Sequence, residues 1–195
     1  MPIDLTPATQ ELGALVANVP DAALRDMTPC GFSVGTLLDH LATFATVFTE
    51  AANKDTAART GPPPAPDAAH LASDWRTAIP RDLDGLATAW RNPEAWQGTT
   101  KVRGLDMPGE AVGTIALDEV VVHSWDLARA TDQPYDPEPQ WLDALAPFLN
   151  HMADPGMAVA REGLFGPVVA VPDDAPQLDR VLGLTGRDPS WTPPR

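Results

Sequence analysis

The sequence predicts an all-α protein: a helical bundle with extra short helices and a short irregular C-terminal tail. Three observations carry that prediction. Apolar residues recur at helical spacing in several separate stretches, so that each stretch buries one face. Helix starts and stops punctuate those stretches, from Thr6-Pro7 and Pro20 near the beginning to Asp136-Pro137 and Gly186-Arg187-Asp188-Pro189 near the end. At 195 residues, 44% of them apolar, the chain is long enough to bury a real core as one domain, residues 1–195. Within it, 1–153 reads as the helical bundle and 154–195 as a C-terminal extension.

The elements follow in order. Thr6 reads as an N-cap with Pro7 at the first helical position, and Leu12, Leu15, Val16 and Val19 give a short helix that Pro20 ends. Asp21 to Arg25 adds a turn, and Thr28-Pro29-Cys30-Gly31-Phe32 is a turn-rich connection. Ser33 caps a longer helix to about Asn53, with Leu37, Leu38, Leu41, Phe44, Ala45 and Phe48 on its apolar face. Lys54 to Pro66 is a proline-rich linker. Asp67 reads as the cap of a third helix through Leu71, Trp75 and Ile79, which Pro80 kinks or restarts toward Leu83, Leu86 and Trp90. Trp96 to Val102 and Gly104 to Met107 suggest a small hairpin. Pro108 opens a helix to about Ala130, and Asp136-Pro137-Glu138 begins another, bent by Pro147. Phe165 to Pro172 reads as a short extended segment, Ala175 to Leu184 as a closing helix, and Gly186-Arg187-Asp188-Pro189 as the end of ordered structure.

Charge narrows the partners. The net charge is −14, from 27 acidic and 13 basic side chains. Nucleic acid and anionic membrane both demand a basic footprint, so neither is expected. The single cysteine, Cys30, excludes an internal disulfide framework and a cysteine-rich zinc module. No signal peptide and no apolar run of the ~20 residues needed to span a bilayer is visible. A cytoplasmic location is the expectation.

The chain is organised around Leu117-Asp118-Glu119-Val120-Val121-Val122-His123-Ser124-Trp125-Asp126-Leu127. At about 100° per residue, Glu119 and His123 stand nearly above one another, with Asp126 on the same side a turn later. Val112, Ile115, Ala116 and Val122 flank that stripe, so it faces other helices. Burying a carboxylate without a partner costs several kcal/mol or forces it to protonate. A divalent metal resolves that cost, and so does a buried Glu–His hydrogen bond. His40, among Leu37, Leu41 and Phe44, is a third polar residue at a core position, and alone it reads as a core histidine. Together, two imidazoles and one carboxylate match a catalytic zinc site with an open position. Asp126 reads either as an acceptor that holds an imidazole tautomer or as a partner of backbone or a nearby Arg. Cys30, ahead of a helix N-terminus, is a reactive thiol or a small buried residue. His70 and His151 read as surface residues. Arg81, Arg91 and Arg103 are either clamps for an anionic substrate or surface partners of the many acids. Trp125 is the tryptophan expected to wall the site.

Two of these motifs together resemble a known family. Thr28-Pro29-Cys30 leading to Leu37-Leu38-Asp39-His40-Leu41 is similar to the entry into the second helix of the DinB-like superfamily. Glu119 to His123, followed by Ser124-Trp125-Asp126-Leu127-Ala128, resembles the metal helix of the branch that includes mycothiol-dependent maleylpyruvate isomerase. The tail from Phe165-Gly166-Pro167 to Gly186-Arg187-Asp188-Pro189 is similar to a group of actinobacterial members of uncharacterised activity. The resemblance implies a DinB-like up-down four-helix bundle in which His40, Glu119 and His123 bind one divalent ion, usually zinc, with Ni²⁺, Fe²⁺ or Mn²⁺ not separable by ligand type. It also implies a low-molecular-weight thiol such as mycothiol as cosubstrate, and it admits homodimers. In the isomerase a second domain follows the bundle, where this chain has a short tail. Phe32 stands where many relatives have Trp.

The function these readings favour is an enzyme that activates a small thiol for S-transfer to, or isomerisation of, a small electrophilic substrate. The alternatives are a metal-dependent hydrolase, and a non-catalytic protein that binds a metal or small metabolite.

Overall fold

The computed structural model of the chain describes residues 3–55, 64–102, 104–162 and 164–194. Most of the proline-rich linker (56–63) and Arg103 lie outside the described residues.

Four helices form the bundle: α1 (Thr6–Ala17), α2 (Val34–Ala52), α3 (Trp75–Trp90) and α4 (Gly109–Ala130). Their starts show where local sequence rules hold. Ser33 caps α2, its hydroxyl oxygen accepting from the Thr36 N–H at 3.1 Å. Thr6, by contrast, is the first residue of α1 and not its cap. Asp4 supplies the acceptor there, taking the Thr6 N–H at 2.9 Å and the Thr6 hydroxyl at 2.7 Å. Asp67 caps only a 3-10 turn, Ala68–His70, and α3 begins later at Trp75. The helix then runs on through Pro80 to Trp90.

Because α1 and α2 each pack against both α3 and α4, the order round the bundle is α1–α3–α2–α4. Helices α1 and α2 therefore stand across a diagonal, as do α3 and α4. Diagonal partners need long connections. The long connections are present: 18–33 carries a 3-10 turn at Asp21–Arg25, and 91–108 carries a 3-10 turn at Pro93–Trp96 and the hairpin. That hairpin pairs β1 (Thr99–Val102) with β2 (Leu105–Pro108) antiparallel, Val102 opposite Leu105. The consequence that matters for function is that α2 and α4 are neighbours.

Beyond the bundle come α5 (Pro139–Met152), the one-turn α6 (Ala158–Arg161) and α7 (Gln177–Leu184). Pro147 lies inside α5, which continues through it. The stretch 165–172 joins no sheet; the Val169 N–H ties it to the Gly183 carbonyl at 3.0 Å. Of these, α5 and α7 cover the side of α4 that α1 and α2 leave open, so α4 is buried almost all round, from Val112 to Ala130. No described helix is long and apolar enough to cross a membrane.

Close packing at the head of α4 depends on two glycines, Gly109 and Gly113. A Cβ on Gly113 would lie 2.5 Å from Trp96 Cζ3 and 2.8 Å from Trp90 Cζ3. Those two indoles stack edge-on with centroids 5.1 Å apart, so they have little room to yield. Alanine is the better helix former, by about 0.8–1 kcal/mol, but overpacking costs about 1–3 kcal/mol. Gly113→Ala is therefore expected to lower stability by up to roughly 2 kcal/mol, read as a lower urea midpoint at unchanged slope.

Candidate metal centre

Helix α2 carries His40 and the neighbouring α4 carries Glu119 and His123, and the bundle brings all three together. Glu119 Oε2 lies 3.0 Å from His40 Nε2 and 3.1 Å from His123 Nε2. The site is graded in depth. The side chains of His40 and Glu119 are 25% and 23% exposed, that of His123 is 10% exposed, and Asp126 behind it is fully buried. The approach is from the His40/Glu119 side. There the rings of Phe32 and Phe44 stand 6.1 and 6.4 Å from the His40 ring, centroid to centroid.

The second nitrogen of His123 fixes its tautomer. Nδ1 lies 2.9 Å from Asp126 Oδ2, and a carboxylate there can only accept, so Nδ1 carries the proton. In a neutral ring Nε2 is then a bare lone pair, aimed at a carboxylate oxygen that is also an acceptor. Two acceptors at 3.1 Å need a cation between them. Without metal a proton supplies it. Burial pulls the His123 pKa down, but the hydrogen bonds to Asp126, Cys30 and Glu119 outweigh it and carry it well above the ordinary histidine value. Glu119 is pushed up by burial and pulled down further by its bonds to His123 and His40, ending low. A divalent ion fits the same place. Ligand atoms held about 2.0–2.2 Å from a tetrahedral zinc are roughly 3.3–3.6 Å apart, close to the spacings here.

Asp126 satisfies both roles the sequence leaves open. Besides holding His123, its Oδ2 accepts from Arg187 Nη2 at 3.0 Å, and its Oδ1 faces Arg187 Nε at 3.4 Å. Burial would raise the Asp126 pKa, but the guanidinium charge and the His123 bond lower it. Cys30 is half-buried beside this group, its Sγ 3.1 Å from the Thr28 hydroxyl. Its Sγ, a His123 ring nitrogen and an Asp126 oxygen also lie within 4.8 Å of one another. The guanidinium on Asp126 makes that second convergence hostile to another cation.

The other candidates are elsewhere. His70 and His151 are exposed, His70 standing 3.9 Å from Asp39. Arg81 pairs with Asp82 at 2.9 Å and Arg91 donates to the Thr88 hydroxyl, so neither clamps the site. Trp125, expected to wall the site, packs with Val122 and Leu182 at the α7 interface. Two residues escape the sequence reading. Asp118 is buried in α4, its Oδ1 without a hydrogen-bond partner, and burial, with the Glu119 charge second, raises its pKa to about 7. Arg187 lies where ordered structure was expected to end, yet it is buried against Asp126. Its signal was present in Gly186. The Arg187 N–H donates to the Leu182 carbonyl at 2.9 Å and the Gly186 N–H to that of Gly183 at 3.1 Å, with Gly186 at φ +84. That is the glycine-dependent stop in which the residue after the glycine is held in a set direction.

The comparisons with known proteins bear on the family. Two uncharacterized proteins of Mycobacterium tuberculosis, MT0763 of strain CDC 1551 and Rv0738 of strain H37Rv, are each 27% identical to the chain over 134 residues, 68% of either length. No solved structure matches the chain. Residues 5–128, which contain His40, Glu119, His123 and Asp126, match the mycothiol maleylpyruvate isomerase N-terminal domain. With the all-α bundle, and with more than half of the chain matched, this chain belongs to the mycothiol maleylpyruvate isomerase N-terminal domain family.

Proposed function

We propose that the chain, acting as one unit over residues 1–195, is an enzyme that holds a divalent cation on His40, Glu119 and His123 and uses it to activate a low-molecular-weight thiol. The observation that carries this reading is the convergence of two imidazole Nε2 atoms on one Glu119 oxygen, 3.0 and 3.1 Å away, with the far side of His123 already held by Asp126. When bound, the cation would supply a positive charge that lowers a thiol's pKa so that the thiolate predominates near neutrality.

The protein's own groups define the rest. Glu119 and Asp126 contribute two negative charges and Arg187 one positive, and the buried Asp118 carboxyl beside them, its pKa raised to about 7, adds part of a third negative charge. A divalent ion therefore brings the cluster to between neutral and +1, which admits an anionic fourth partner such as a thiolate. Asp126 keeps His123 in the tautomer that presents a lone pair, and the exposed edge of His40 and Glu119 leaves a route for substrate. The Phe32 and Phe44 rings beside that route give it an apolar wall. The family description supports mycothiol or a similar thiol as cosubstrate. The electrophile is a small molecule, converted by S-transfer or by addition, rotation and elimination. With a net charge of −14, neither nucleic acid nor an anionic membrane is a partner, and the cytoplasm, with its reduced thiols, is the fitting compartment.

Metal analysis of the wild type beside His40→Ala, Glu119→Ala and His123→Ala tests the site. One divalent ion per chain is expected for the wild type, with release of protons on binding. Each variant is expected to lose more than the roughly 10–100-fold in affinity that removing a supporting residue costs. A thiol-by-electrophile screen tests the activity. Thiol-dependent turnover that disappears in His123→Ala supports the reading. A wild type that takes up no ion, or a His123→Ala variant with full turnover, overturns it. Ester or amide turnover without thiol assigns the site to hydrolysis instead, and metal binding without any turnover assigns it to a carrier.

A further inference from the structure

The matched segment 5–128 holds every donor of the site and the Asp126 carboxylate behind the deepest of them, but the side chain that clamps that carboxylate comes from outside it. We propose that Arg187 is a positioning residue of the metal centre: it clamps Asp126, which in turn fixes the ring of His123, so the C-terminal extension completes the site. This inference rests on the reading that His40, Glu119 and His123 hold a cation.

The stop at the end of α7 puts Gly186 at φ +84, where a side chain is disfavoured, and a Cβ there would meet Gly166 Cα at 2.7 Å. Arg161 holds the same two strands of chain together, donating to the Gly166 carbonyl from Nε at 3.0 Å and to the Leu184 carbonyl from Nη2 at 2.6 Å. The backbone at residue 187 is thus determined before its side chain is considered. From there Nη1 donates to the Thr185 carbonyl at 3.0 Å, which orients the guanidinium plane. Nη2 and Nε face the two oxygens of Asp126 at 3.0 and 3.4 Å, the forked arrangement that only a guanidinium offers.

A buried ion pair is a poor way to gain stability alone, since apolar residues of similar size do as well or better. This one differs in what its carboxylate does. Asp126 Oδ2 is shared: the oxygen that accepts from Arg187 also accepts from His123 Nδ1 at 2.9 Å. Asp126 has no solvent contact, so its rotamer is set by these partners. The groups behind a metal-bound imidazole typically matter by 10–100-fold in affinity, and here that support continues one residue further, to a side chain 61 positions away in sequence.

The test uses the full chain, with Zn²⁺ affinity measured by competition against a chromophoric chelator and site geometry read from the visible spectrum of the Co²⁺-loaded protein. Arg187→Met is expected to weaken Zn²⁺ binding about 10–100-fold and to shift the Co²⁺ bands. Arg187→Lys, which restores charge but not the fork, should recover part of that loss. The coupling is decisive. In an Asp126→Asn background, Arg187→Met should cost less than about threefold more, because the connection it serves is already broken. An Arg187→Met protein within twofold of wild type with an unchanged Co²⁺ spectrum overturns the proposal, and so does a loss undiminished by Asp126→Asn. Should Arg187→Met fail to fold, Arg187→Lys decides alone: a measurable loss with shifted bands supports the clamp, and wild-type behaviour overturns it. A wild type that takes up no cation takes the parent reading down as well. A loaded wild type with an indifferent Arg187 removes only this inference.

Discussion

Asp126→Ala is expected to lower the unfolding free energy of the metal-free protein by about 3–5 kcal/mol, because removing one member of a buried pair leaves the other charge uncompensated. Here two groups are stranded at once: the Arg187 guanidinium at 3.0 Å and the His123 Nδ1–H at 2.9 Å. The pH dependence follows from the direction of each shift. Asp126 has a depressed pKa in the fold, so its contribution is present above the unfolded value of about 3.9 and is lost as pH falls through the folded one. His123 has a raised pKa, so its contribution is complete below about 6.5 and is lost as pH rises through the folded value. The penalty should therefore be greatest between about pH 4 and 6.5. Urea denaturation of both proteins across that range checks it. Asp126→Asn, which keeps an acceptor but no charge, should fall between the two. A penalty below about 1 kcal/mol for Asp126→Ala would show that the pair is solvated and not buried.

Asp118→Asn is expected to act in the opposite direction. The wild-type carboxyl is buried in α4 with an oxygen that has no hydrogen-bond partner, and its pKa is raised to about 7. Above the unfolded value of about 3.9 the unfolded chain gives up this proton while the fold keeps it, so wild-type stability declines as pH rises until the folded group ionises too. Integrated from pH 5 to 8, that one group costs the wild type roughly 2–3 kcal/mol that an uncharged Asn does not incur. The difference in stability between Asp118→Asn and wild type should shift in favour of the variant by that amount over the interval. A difference independent of pH would mean that Asp118 titrates as an ordinary surface carboxyl.

Local chemistry made most of the helices legible. Ser33 caps α2 as its hydroxyl predicts, and the apolar spacing of Leu37, Leu38, Leu41 and Phe44 marks the face that is buried. Pro108 precedes α4, and the two stretches around Gly104 pair as a hairpin. The misplacements have local causes. At the start of α1, Asp4 competes successfully for the role assigned to Thr6. At Asp67 a good cap serves a single turn, because a cap rewards any run of free N–H groups and does not specify how long the helix continues.

The sequence by itself determined which residues are candidates for the site: Glu119 and His123 stand on one face of one helix because 3.6 residues per turn puts them there, and His40 sits on another apolar helix face. What it left to the tertiary structure was everything that requires two distant segments to meet. The ring order α1–α3–α2–α4, which makes α2 and α4 neighbours, depends on how whole helix faces pack and on connections long enough to cross a diagonal. The link from Arg187 to Asp126 spans 61 residues, and no periodicity relates them. Gly186 announces that the chain turns sharply, but a turn signal says nothing of what lies opposite. Only packing of α7 against α4 brings that guanidinium to a carboxylate that is fully buried.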